Sequence, residues 1–410
     1  MSDTLAYIVV TLLFGIVAGL IVETIIVLLR TPSRRSSEWN PQSMIKDMSL
    51  RKKAPWVEAV QAHYLAQRYE SARRLLRDIQ PATPHEQALK DFFGGYVEYE
   101  SGMFRDAVPY LENCLKHFMQ HDRLLAAMAL WELGSAYFAL GRVDEAEAKY
   151  IECLRIFRKD GQKHAAIDVE SNLADLYINK TDKDSLKKAA GIVSKSLRYH
   201  LLTGRIDGFA DMARTGATIY IRAGRPEFGL LLARISLFVA DHRKDEYRGM
   251  ASRLTLGDIY YRTGFPEDAK TLWSEILVKS RQIKDLRYEG VALSRMARVD
   301  LDCDDFEGAE INAESARKAM MRIGDKVSEL TSMGLLAEIA LRRGENDKAE
   351  RLLRRILHEA ENLGIYELLP NIMDGLRVAM ALTGHRNEFN ETRDRIVEKY
   401  PAIAKSVQGL

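Results

Sequence analysis

The chain opens on an apolar stretch. Between Leu5 and Leu29 only one side chain in 25 residues, Glu23, is ionisable. At about 1.5 Å of rise per residue, a helix of this length crosses a hydrocarbon core of roughly 30 Å. Residues 1–30 are therefore expected to form one transmembrane anchor. Residues 31–53 carry turn formers and basic side chains without apolar periodicity, which is the pattern of a linker. From residue 54 onward the pattern becomes that of consecutive amphipathic helices.

A column of small residues organises this larger part: Ala72, Ala107, Ala146, Ala189, Gly229, Ala269, Ala309 and Ala349, ending at Phe389. From Ala189 the spacing is 40 residues five times in succession, after spacings of 35, 39 and 43. Five residues before most members stands a turn residue: Gly102, Gly141, Gly224, Gly264, Asp304, Gly344 or Gly384. Seven residues further back comes another small residue: Gly95, Gly134, Ala217, Gly257, Ala297 or Ala337. A second set of turns, at Gly204, Lys244, Lys284, Gly324 and Gly364, keeps the same period. Each period thus encodes two helices joined by a short turn, and the small columns mark where helix backbones approach closely. The prediction is an all-α solenoid of about nine hairpins over residues 54–400, stacked as one domain, with 401–410 as a tail. Arg377 and Phe389, standing where small residues are expected, suit a solvent-facing terminal cap.

Two segments carry a family resemblance. Leu133-Gly134-Ser135-Ala136-Tyr137 running through Gly141 to Ala146, and Leu256-Gly257-Asp258-Ile259-Tyr260 running through Gly264 to Ala269, resemble the tetratricopeptide repeat. The 40-residue period is similar to the longer-helix subclass of signalling adaptors and regulators, and the resemblance covers about residues 54–400. It implies a right-handed α-α superhelix whose first helix in each hairpin lines a concave, partner-binding groove. The groove positions so implied are aromatic in the first three repeats: Tyr64, Phe92, Tyr96, Tyr99, Trp131 and Phe138. In repeats four to eight they are polar or charged: Asn172, Asp175, Arg214, Thr218, Arg222, Asp258, Arg262, Arg295, Arg298 and Glu338. The aromatics offer anchors for a partner, or else are core. The arginines can fork onto a carboxylate or phosphate, or else pair with their acidic neighbours in a solvated face. The Lys and Asn clamp of chaperone-binding members is missing.

Composition narrows the function. With 60 basic against 58 acidic residues, the chain has no general case for nucleic-acid binding. Three cysteines, none in a CxxC pair, argue against a disulfide framework or a cysteine-rich metal site. Cys114 and Cys153 each fall seven residues after a column alanine, a position for a small core side chain. His117 and His121 form an i, i+4 pair, and two ligands leave a zinc site half built. No metal or cofactor is expected. No phosphate loop, GxSxG elbow or HExxH occurs, so no enzymatic activity is expected either.

The flanks of the apolar span set its orientation. Arg30, Arg34, Arg35, Lys46, Arg51, Lys52 and Lys53 follow it, against only Asp3 before it, which places residues 30–410 in the cytoplasm. The uncharged start and the long span favour an uncleaved anchor over a signal peptide. Gly15 and Gly19 share a helix face with Glu23, either as a self-association seam or as the small residues common in such helices. The layout is similar to bacterial inner-membrane tetratricopeptide regulators with an N-terminal anchor. The expected function is a membrane-anchored scaffold or adaptor that binds partner proteins or peptides in its cytoplasmic groove. The alternative is a peptide-sensing regulator whose superhelix changes shape on binding.

Overall fold

The structure, a computed structural model, describes residues 54, 56–65, 68–180, 183–363, 365, 368–400 and 407. The expected anchor with Gly15, Gly19 and Glu23, the linker, and all but one residue of the tail lie outside the described residues. Among the described residues no helix is long and apolar enough to cross a membrane.

Eighteen α-helices and no strand make up the described chain. The first six are α1 (Trp56–Leu65), α2 (Tyr69–Asp78), α3 (Pro84–Glu100), α4 (Phe104–His121), α5 (Arg123–Ala139) and α6 (Val143–Lys159). They are followed by α7 (Lys163–Asn179), α8 (Lys183–Leu202), α9 (Ile206–Arg222), α10 (Pro226–Arg243), α11 (Glu246–Arg262) and α12 (Pro266–Ile283). The last six are α13 (Leu286–Asp302), α14 (Phe306–Ile323), α15 (Lys326–Arg342), α16 (Asn346–Leu363), α17 (Leu369–Leu382) and α18 (Arg386–Lys399). Taken in order they are nine hairpins, the number the column count predicts.

The turns fall where the periodic glycines stand, because most of the helices are followed directly or within two residues by one with positive φ. Lys244 and Lys284 hold this left-handed conformation, at φ 55° and 60°, where the equivalent Gly324 sits at φ 78°. A Cβ there crowds the following carbonyl, at a cost of roughly 1 kcal/mol. Lys284→Gly is expected to raise stability by about 0.5–1 kcal/mol, measured by chemical denaturation. Helix starts are equally periodic. The carboxylates of Asp245, Asp285 and Asp325, one period apart, accept hydrogen bonds from the backbone N–H of Arg248, Tyr288 and Ser328 at 2.9, 2.9 and 3.0 Å. Each satisfies an orphan donor of the first turn.

The described residues sort into two compact units. One spans Tyr177–Leu272. Its core comprises Ile206, Phe209, Ala210, Ala213, Ile235 and Val239, and beside it Ala217 and Ala233 with Leu256 and Ile259. The column residue Gly229 is buried here because α9 passes directly over it. A Cβ added to Gly229 would stand 2.9 Å from the Ala217 carbonyl oxygen.

The other unit is built from the chain up to Leu176 and from Trp273 onward. In the first of these segments, Phe92 packs its ring against Phe93 and Phe118 at 5.4 and 6.4 Å. The column residues Ala107 and Ala146 are fully buried, as are Cys114 and Cys153. In the second segment Leu330, Met333, Leu353, Ile356, Ile372 and Leu376 form the apolar core. The two segments also touch each other. Arg287, in the first turn of α13, donates to the Tyr69 hydroxyl at 2.6 Å and to the Glu100 carbonyl at 3.0 Å, and its guanidinium stands 3.3 Å from the Glu100 carboxylate. The Lys326 N–H donates to the Ser101 carbonyl at 3.3 Å, and Arg105 donates to the Asn362 carbonyl at 2.9 Å.

The terminal cap differs from expectation at one position. Phe389 is buried in the core with Leu376, Ile396 and Val407 instead of facing solvent. A large apolar ring there fills space that a further repeat fills elsewhere in the array. Arg377 is exposed and paired with Asp374 at 2.8 Å.

Candidate functional site

The first helices of the last three complete hairpins, α13, α15 and α17, share a cavity of 530 Å³ with α16. Its walls are mostly apolar: Leu330, Leu335, Leu341, Leu353, Ile356, Ile372 and Val378 line it, with Gly334 and Gly375 opening the space. Polar groups stand at its edge, among them Thr331, Asn371 and Asp374, together with Arg298 and Glu338. The Arg298 guanidinium donates to the Glu338 carboxylate at 2.6 Å, and both side chains are about one-third exposed. An apolar, partly enclosed space with a few convergent polar groups is the usual form of a ligand site. Such a site suits an extended segment carrying an apolar side chain.

The arginine positions read from the sequence separate in the structure. Arg298 faces the cavity but is spent on Glu338, the residue one period away. Arg222 is exposed and donates to the Ile178 carbonyl at 3.2 Å. Arg262 is exposed, Arg295 is half-buried, and Arg214 is half-buried with its Nε sealed and unpartnered. Thr218 and Asp175 are exposed, and Asp258 is half-buried.

The aromatic positions separate as well. Phe92 is 1% exposed, so it is a core ring and not a groove surface. The family resemblance assigns position 92 to the groove face, but here the ring turns inward onto Phe93 and Phe118. Tyr96 stacks parallel to Phe92 at 6.4 Å, Tyr99 leans on Phe104 at 5.4 Å, and Trp131 meets Phe157 edge-on at 6.5 Å. These three and Phe138 are half-buried, so part of each ring faces outward. The side chain of Tyr64 is outside the described set.

Beside Trp131 lies a polar nest. Ser135 shares a hydrogen bond with the Tyr150 hydroxyl at 3.0 Å and donates to the Trp131 carbonyl at 3.1 Å. Asn172 approaches Ser135 at 3.4 Å. Glu132, three positions before Ser135, is 8% exposed. Burial pushes its carboxyl up to about 8, and the charge of Glu100 adds to the effect. Burial likewise raises the Tyr99 and Tyr150 hydroxyls. The sequence signal for Glu132 was available: Phe93 holds the equivalent place one repeat earlier.

Metal chemistry finds little support among the described residues. His117 lies near His121 and also near His85, with ring centroids 4.5 and 5.6 Å away. One set, Glu350, His385 and Glu388, brings its ligand atoms within 4.8 Å of one another. There Arg354 already bridges the two carboxylates, at 2.7 Å to each. Burial alone would raise the Glu350 carboxyl, but hydrogen bonds from Thr383, His385 and Arg354 hold it down at about 2. An ion would have to displace a cation that is part of the fold.

Residues 94–160 and 331–355 match the tetratricopeptide-repeat family. Tetratricopeptide repeats are present. The first stretch runs from within α3 through α6, and the second covers most of α15 and the first part of α16. No curated protein matches the chain in sequence. Among solved structures, a Rap protein complexed with Competence and Sporulation Factor aligns at TM-score 0.57 and 13% identity, over 80% of this chain and 88% of its own. The Rap conjugation gene regulator of plasmid pLS20, in complex with the Phr* peptide, aligns at 0.50 and 15%, over 77% and 94%. The apo quorum sensor NprR from B. thuringiensis aligns at 0.50 and 14%, over 87% and 99%. At these identities the likeness shows a shared helical-repeat fold.

Proposed function

We propose that this protein is a membrane-anchored adaptor that binds an extended peptide segment, free or part of a larger partner, in the groove between α13, α15 and α17. The observation that carries the reading is the 530 Å³ apolar cavity on the first helices of successive hairpins, rimmed by the Arg298–Glu338 pair. A backbone can run along the rim while one or two apolar side chains enter. No enzymatic role is proposed for the groove, where the Glu338 carboxylate is paired with Arg298. A photoreactive benzoyl-phenylalanine replacing the exposed, cavity-lining Thr331 should crosslink to bound segments in cells. The same group at exposed Gly191, in the other unit, should not give those products. Equal crosslinking at both places would remove the groove from the proposal.

The anchor part of the proposal rests on residues 5–29 and their basic C-terminal flank. The full chain is expected to stay with membranes after alkaline carbonate extraction, with its repeats degraded by protease added to the cytoplasmic side. Release into the supernatant would contradict the anchor. The sensor reading remains as a second one. It is favoured by the contact between distant segments around Arg287, because a contact of that kind can open or close with the groove.

A further inference from the structure

The contact centred on Arg287 joins helices that a simple stack would leave apart in the unit containing Trp273–Leu410. Arg287 reaches back over 218 residues to the Tyr69 hydroxyl and over 187 residues to Glu100, whose carboxylate and carbonyl it holds together. The Tyr69 ring lies 6.0 Å beneath the guanidinium. Asp285 and Asp325 add their negative charge at the same place. Just beyond Glu100, the turn between α3 and α4 seats on the first turn of α15. Ser101 accepts from the Lys326 N–H, and Gly102 packs so closely that an added Cβ would stand 3.2 Å from the Lys326 and Val327 nitrogens. The next residue but one, Phe104, packs its half-buried ring on the apolar cluster containing Leu330, Leu353, Ile356 and Ile372. Those four residues are also walls of the 530 Å³ cavity.

We infer that the turn 101–105 is an autoinhibitory clasp: Arg287 holds it shut, and Phe104 covers apolar surface that a bound partner's aromatic or aliphatic side chain takes over when the clasp opens. This rests on the peptide-groove reading above and adds its regulation. The polar anchor is suited to such a role. Arg287 and the Lys326 N–H give hydrogen bonds to the Tyr69 hydroxyl and to the Glu100 and Ser101 carbonyls while the clasp is closed, and opening exchanges these for water together. The apolar seat is small, one ring and one glycine, so a partner's side chain can replace it. Access to the groove is then limited by the fraction of molecules whose clasp is open, which lowers apparent affinity by that fraction.

The test uses the full chain in lipid nanodiscs, with exposed Cys303 replaced by serine. Nitroxide labels go on cysteines at exposed Asp106 and Arg322, and double electron–electron resonance reads their separation. The wild-type background should give one narrow distance. Arg287→Ala, and separately Tyr69→Phe combined with Phe104→Ala, should broaden and lengthen it while far-ultraviolet circular dichroism keeps the helical content. Groove access is followed with the hydrophobic dye bis-ANS, and its groove component is defined as the part abolished by Gly334→Trp, which fills the open space at Gly334. That component should tighten at least about fivefold in Arg287→Ala. Hydrogen exchange provides a check if a variant is poorly folded: amides 101–106 and 326–331 should speed up while those of Tyr177–Leu272 stay protected. An unchanged distance in both variants overturns the clasp. A lengthened distance with no tightening of the dye overturns its link to the groove. Failure of peptides to bind the groove in the open variant contradicts the functional reading, which the distance measurement leaves separate.

Discussion

Gly229→Val is expected to unfold the unit spanning Tyr177–Leu272 at temperatures where the wild-type chain is stable. The reason lies in the small-residue column itself. A Cβ at position 229 would meet Ile221 Cγ1 at 2.8 Å and the Ala217 carbonyl oxygen at 2.9 Å. The first can rotate away. The second belongs to the backbone of α9, so relief requires the two helices of the hairpin to separate. Separation strips contact from Ala217, Ala233, Leu256 and Ile259 together. Overpacking of this kind costs about 1–3 kcal/mol even where the surroundings relax, and valine's two γ-carbons extend the clash. The internal control is Gly191→Ala in α8. Gly191 is exposed, and an added Cβ meets nothing within 4 Å. That change should stabilise by roughly 0.5–1 kcal/mol, because alanine loses less backbone entropy in a helix. Opposite signs for two glycines of one unit, read by thermal melting, would establish that the column records helix approach. Equal effects would show that it does not.

Glu132→Gln is expected to stabilise the protein increasingly as pH rises. In the unfolded chain this carboxyl ionises near its ordinary value of 4.5, whereas burial holds it protonated up to about 8 in the fold. Below 4.5 both states carry the proton and Glu132 contributes nothing. Between 4.5 and about 8 the unfolded state loses its proton first, so wild-type stability falls through that window. Above about 8 the whole penalty is present. At about 1.4 kcal/mol per pH unit the full penalty is about 3–5 kcal/mol. Glutamine keeps the shape without the charge and escapes it. The difference in melting temperature between variant and wild type should therefore be small at pH 4.5 and largest at pH 9. A difference independent of pH would mean that the carboxyl ionises freely in the fold.

Much of the scaffold was legible because it is periodic. Helix order and the positions of the turns follow from glycines that recur at 40 residues, and the hairpin count follows from the buried alanines. The aspartate caps at 245, 285 and 325 keep the same 40-residue period and are equally legible in the sequence, each directly after a turn residue. The site was less legible. Phe92 and Tyr96 lie four residues apart on one helix, yet one is core and the other half-exposed; the difference depends on how α4 packs, which no single helix encodes. Arg298 and Glu338 are both implied groove residues, but their pairing across one period depends on α13 and α15 lying side by side. The Arg287 contact had no sequence signature at all. It joins residues about 200 positions apart, and periodicity reports only nearest neighbours.

The central claim is that the cavity between α13, α15 and α17 receives an extended peptide. Peptides selected from a random display library on the full chain in nanodiscs, then titrated calorimetrically against wild type and Gly334→Trp, test it most directly. The account predicts that selected peptides carry an apolar anchor residue and lose at least about tenfold in affinity for the filled groove. Peptides that bind both proteins equally would contradict it.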